Sequence, residues 1–160
     1  MPDRPLPTDP VKNAALTERL GRDVWRMDAI DIGESQTFDV VFESTNAPRR
    51  QGVFLGTDGL LRVNGRESGQ VNLWSDTAPQ VVGVRCLASA TGRLLVYNIY
   101  EGHLGRMSQS YTSGMLVKVA EDGSRRYQCC DVAADPEFDR LVFRITAPRD
   151  TSEGRAMRLR

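Results

Sequence analysis

From Ser35 onward the chain alternates apolar and polar residues in short runs rich in Val, Phe, Tyr, Leu and Ile, punctuated by Gly, Asp, Asn and Pro. A period of two places successive side chains on opposite faces of a strand. The pattern predicts strands over 36–43, 52–55, 60–63, 70–74, 80–88, 93–100, 115–120, 125–130 and 140–146. Thr57-Asp58-Gly59, Ala90-Thr91-Gly92 and Glu121-Asp122-Gly123 each supply a glycine for a tight turn, and such short links join antiparallel neighbours.

Only the N-terminal region departs from this pattern. Asp9 suits an N-cap, Pro10 a first helical position and Gly21 a left-handed stop, with Ala14, Ala15, Leu16, Glu18, Arg19 and Leu20 between them. Residues 24–32 mix Trp25, Met27 and Ile30 with charges and have no clear period. The expected fold is therefore all-β, an antiparallel jelly-roll-like β-sandwich with one short N-terminal helix. Residues 1–8 are expected as a disordered leader, 9–147 as one sandwich domain and 148–160 as a loose polar tail.

Alternation also sorts the side chains into two layers. Phe38, Val40, Val71, Leu73, Val82, Val84, Cys86, Leu95, Tyr97, Ile99, Met115, Val117, Val119, Leu141, Phe143 and Ile145 form the apolar phase. The opposite phase carries Trp74, Arg85, Asn98, Tyr100 and Gln128, which are expected on one polar face as the ligand-binding residues. Aromatic rings stack on apolar ring faces, and amides and guanidinium groups hydrogen-bond hydroxyls or carboxylates.

From Val81 to Ile145 the order of features resembles the jelly-roll β-sandwich modules that bind carbohydrates. It comprises a long strand, a glycine turn, Leu94-Leu95-Val96-Tyr97, a long loop, a hairpin, Arg126-Tyr127-Gln128 and a closing run from Phe138 to Ile145. That resemblance implies a sandwich fold and carries no residue motif specific to a family.

Composition narrows the picture. Twenty-one basic and 21 acidic residues cancel, so no global field draws the chain to nucleic acid or a membrane surface. No apolar run approaches the ~18 residues that span a bilayer, and Met1-Pro2-Asp3-Arg4-Pro5 does not resemble the start of a signal peptide. Cys86 stands alone and Cys129 is adjacent to Cys130, a usage that fits a reducing compartment and a cytoplasmic protein.

Candidate chemistry is sparse. His103 is the only histidine, near Ser108, Ser110, Tyr111 and Ser113, without a nucleophile elbow. One histidine does not make a transition-metal site, and Asp131, Asp135, Glu137 and Asp139 lack the spacing of a calcium loop. No P-loop, GxGxxG, HExxH or CxxC occurs. The expectation is a non-catalytic cytoplasmic protein without cofactor or metal, binding a small ligand (carbohydrate among the candidates) or a protein partner. Two alternatives stand beside it: a carbohydrate- or uronate-active enzyme with chemistry near His103, Tyr111 and Arg85, and a structural homo-oligomer with Trp74 and Tyr100 at its interface.

Overall fold

Asn13 starts the helix. Its Oδ1 accepts from the Leu16 amide at 3.0 Å, and α1 (Ala14–Leu20) runs until Gly21 takes φ 67° at its end. The expected cap at Asp9 is displaced because Val11 and Lys12 are extended and pair with the strand that follows the helix. Asparagine caps a helix as well as aspartate does, so the later start is free to form that extra ladder. The computed structural model describes residues 8–103, 105–108, 112–132 and 135–150. The expected leader, apart from residue 8, and the tail from residue 151 lie outside the described residues.

Among the described residues twelve strands accompany the helix: β1 (Val11–Lys12), β2 (Trp25–Asp31), β3 (Ser35–Thr45), β4 (Gln51–Val63), β5 (Arg66–Trp74), β6 (Val81–Leu87), β7 (Arg93–Gly102), β8 (Gly105–Ser108), β9 (Gly114–Val119), β10 (Arg125–Cys130), β11 (Leu141–Ile145) and β12 (Arg149–Asp150). The stretch without a clear period is β2. It pairs with β9 through Trp25 and Met115, and with β7 through Asp28–Asp31 against Val96–Arg93. The path β2–β9–β10–β11–β3–β6–β4–β7 therefore returns to β2. This closure overturns the jelly-roll sandwich: the fold is an eight-stranded antiparallel β-barrel, which leaves no pair of open sheets to stack.

Three strands of the ring turn corners together. Thr57-Asp58-Gly59, expected as a turn, lies inside β4, where the register with β5 shifts between Gly56 and Leu61. Opposite it, residues 88–92 join β6 to β7, which lie one after the other along β4 and do not pair with each other. The Asp58 carboxylate ties the two corners. It accepts from Ser89 Oγ at 2.7 Å, the Thr91 amide at 3.0 Å, Thr91 Oγ1 at 3.0 Å and the Ala90 amide at 3.2 Å. The Ser89 hydrogen bond leads the causes that hold its carboxyl below the usual range. The hairpin turn itself is at Asn64 (φ 51°) and Gly65 (φ 76°), the positive-φ pair that matches strand twist.

Side chains fill the barrel. Phe38, Val40, Val53, Leu55, Leu94, Val96, Tyr127 and Phe143 are fully buried in one cluster, with the Tyr127 and Phe143 rings stacked at 4.6 Å. A second layer lies outside the wall, where Met27, Ala29 and Leu95 are buried against Tyr97. Leu16 of α1 packs on Val24, Cys130, Leu116 and Phe138.

Candidate functional site

The expected five-residue face does not assemble. Residues directly opposite each other in a ladder share a face. Asn98 pairs with the core residue Val53, and Tyr100 with Gln51, so both point into the barrel and both are buried. Trp74 pairs with Gly52, one residue out of phase, and so stands on the other side of the wall. Arg85 and Gln128 are half-buried on separate stretches of the outer surface. The cause lies in Leu94-Leu95-Val96-Tyr97-Asn98-Ile99-Tyr100, which is apolar in both phases because β7 carries the barrel core on one face and the Met27–Ala29–Leu95 layer on the other.

Asn98 and Trp74 are held by their new surroundings. Asn98 Nδ2 donates to the Cys130 carbonyl at 3.0 Å. Gln51 Nε2 donates to the buried Asp131 carboxylate at 2.9 Å, while Gln51 Oε1 and the Tyr100 hydroxyl have no partner among the described residues. Arg50 lies over the Trp74 ring at 4.4 Å and pairs with Asp76 at 2.8 Å. The absent side chain of Gly52 makes room beside that indole, since a Cβ there would come within 3.0 Å of it. Trp74 is thus packed by its own chain rather than presented as a stacking platform, and the buried Tyr100 is no surface for a subunit contact.

The acidic run disperses. Asp131 faces Gln51, Asp135 pairs with Arg19 at 3.4 Å, Glu137 with Arg140 at 3.2 Å, and Asp139 accepts from Asn46 at 2.6 Å. Among the described residues no group of three or more His, Cys, Asp or Glu is placed to hold a metal ion. His103 is exposed in the turn after β7, and Tyr111 lies outside the described residues.

Arg85, by contrast, lines a cleft. Its register partners are Arg62 on β4 and Thr37 on β3, and Thr37 in turn pairs with Arg149 on β12. Arg62, Arg85, Thr37 and Arg149 therefore form one row across four strands of the outer wall. They line a cleft of about 350 Å³ together with Asp39, Gly83, Asn64 and Asp150. Gly83 keeps it open: it pairs with Asp39, and a Cβ there would meet only Asp39 Oδ1 at 3.7 Å.

The charges around this cleft are incompletely matched. Arg62 pairs with Glu67 at 2.9 Å and Arg149 with Asp39 at 3.7 Å. Arg85 has no carboxylate within ion-pair range among the described residues. Its Nη2 reaches Ser35 Oγ at 3.4 Å, and its Nε is buried without a partner. A half-buried guanidinium in that state holds unused donors in the fork geometry that suits oxyanions. Arg62, Arg149 and Thr37 are not apparent from the spacing of charges. The signal that points to them is Gly83, a glycine inside Val81-Val82-Gly83-Val84-Arg85, since an interior strand glycine marks a bulge or a close approach.

Compared with known proteins, the chain matches no family model and no curated protein. Among the described residues, no helix is long and apolar enough to cross a membrane.

Proposed function

We propose that this barrel is a non-catalytic binding module whose ligand is a small molecule with an anionic group, held in the cleft over Gly83. The observation that carries this reading is Arg85, a half-buried cation lining the cleft with no carboxylate partner among the described residues, in register with Arg62 and in one row with Arg149. Arg85 is the anchor, Thr37 a hydroxyl partner, and Arg62 and Arg149 flanking charges. Guanidinium groups stay protonated at all ordinary pH values, which suits them to hold an anion and not to move its protons. An interior ligand is disfavoured because side chains fill the barrel. The three buried free thiols fit a cytoplasmic setting, where no disulfide is needed to hold the fold.

Methyl phosphate is the simplest probe. Calorimetric titration at low salt should show binding that weakens as salt rises. Arg85→Gln should weaken it at least about tenfold, the usual scale for a charge-assisted hydrogen bond. Gly83→Val should abolish it with the fold intact, because the new side chain occupies the cleft and its Cβ is in ordinary contact with the Asp39 carboxylate alone. Binding that survives both substitutions unchanged, or no binding by the natural chain, refutes the assignment.

A further inference from the structure

The ladder between β4 and β6 ends at Arg62–Arg85, although β6 continues to pair with β3 as far as Val81–Val41. Beyond Arg62 the β4–β5 hairpin leaves β6, so its tip at Asn64 and Gly65 stands apart from Gly83 and Val84. Phe38 and Val84, whose side chains belong to the barrel core, border the arginine cleft at this gap.

A second and larger cleft, about 520 Å³, lies along the same hairpin and shares Asn64 with the first. Its apolar wall is Leu61, Val63 and Val71, with the exposed Arg66 and Ser68 beside them. Leu61 and Val63 face Ser68 and Arg66 directly across the ladder, whereas Arg62 between them is out of phase and faces Glu67. Alternation along three residues of β4 thus gives one cleft its cation and the other its apolar wall, and the two meet at the hairpin tip.

We infer that the ligand is an amphipathic anion with a short alkyl chain. Its acidic head rests on Arg85 and its chain passes Asn64 to lie against Leu61, Val63 and Val71. This rests on the anion-binding reading of the arginine cleft and adds to it the chemical class of the rest of the molecule. Charge complementarity at one end and apolar surface at the other select this occupant over a polar sugar, which would leave the valine wall unmatched, and over a fully apolar molecule, which would leave Arg85 unmatched.

The test is a chain-length series of methyl, butyl and octyl phosphate, each titrated below its aggregation concentration. Each methylene that fits the valine wall should tighten binding about three- to fourfold, so octyl phosphate should exceed methyl phosphate by at least about tenfold. Val63→Gln should flatten that series while leaving methyl phosphate affinity unchanged. Val71→Gln serves the same purpose should the first variant fail to fold, with circular dichroism as the check. Equal affinity along the series, in a protein that binds methyl phosphate, overturns the alkyl assignment and leaves the anion site standing. Octyl phosphate that binds equally well to Arg85→Gln is adsorbed on apolar surface and overturns it as well. Absence of binding along the whole series removes both readings together.

Discussion

Asp28 takes a carboxylate into the barrel wall, and two neighbours satisfy it. The Tyr127 hydroxyl donates at 2.6 Å, and Arg125 Nη1 donates to both oxygens at 2.9 and 3.1 Å. Burial, followed by the nearby Asp28 charge, raises the Tyr127 hydroxyl well above its ordinary range. The thiols follow the same rule, since burial pushes Cys86 and Cys130 up to about 12 from 9.0. In the unfolded chain these thiols release their protons near their ordinary value, whereas the folded chain keeps them to higher pH. Between those limits the unfolded state binds fewer protons, so stability falls as pH rises and is fully retained below them. The urea midpoint should accordingly hold steady to about pH 8 and fall by pH 11, and an alkylating reagent should reach the three cysteines only as the chain unfolds. A midpoint that stays flat across that range would show that the thiols are open to solvent.

At the scale of elements, the corner of β4 depends on Gly59. A Cβ there would meet the Leu87 carbonyl oxygen at 2.3 Å and the Ala88 carbonyl carbon at 2.6 Å, both backbone atoms with little freedom to move. Gly59→Ala should cost at least about 2 kcal/mol, the scale of forced overpacking, while Gly83→Ala should be nearly neutral. Equal denaturation midpoints for the two variants would show that the corner does not need the close approach. The same corner shows what the sequence could and could not convey. Alternation placed most strands, including both halves of β4, and the glycine at 123 does lie between the paired strands β9 and β10. Thr57-Asp58-Gly59 has the composition of a turn because a tight turn and a close backbone contact both need a residue without a side chain. Only the partner strand distinguishes them. The short strand β8 falls in the glycine-containing stretch around His103, where four residues are too few to show a period. The candidate site was partly legible: Arg85 sits in its expected outward phase, and Asn98 and Tyr100 do not, because a strand buried on both faces gives alternation no polar side to mark.

For the molecule as a whole, sandwich and barrel share the same strands and differ in which pair closes the sheet. Closure falls to β2, and one side of it is thin, a single register pair between Trp25 and Met115. Asn13 reinforces this place. Its amide donates to the Val24 carbonyl at 2.8 Å and its Nδ2 to the Ser113 carbonyl at 2.9 Å, the residues just before β2 and β9, while its Oδ1 caps α1. One buried residue thus joins the start of the helix to both strands of the seam, through its backbone N–H on the β2 side and its side chain on the β9 side. Two substitutions separate these duties. Asn13→Asp keeps an oxygen for the Leu16 amide and gives up the donor to Ser113, whereas Asn13→Ala gives up both. Losing the cap costs about 1 kcal/mol, whereas an aspartate carboxylate at this buried position faces the Ser113 carbonyl oxygen with no donor between them, so the aspartate variant should be the less stable of the two at neutral pH. Amide exchange should quicken around residues 24–27 and 114–116 in both variants, and over α1 mainly in the alanine one, while the β4–β5 and β3–β6 ladders keep their protection. Exchange that quickens evenly over the whole barrel would mean that Asn13 contributes only to global stability and the seam is closed by other contacts.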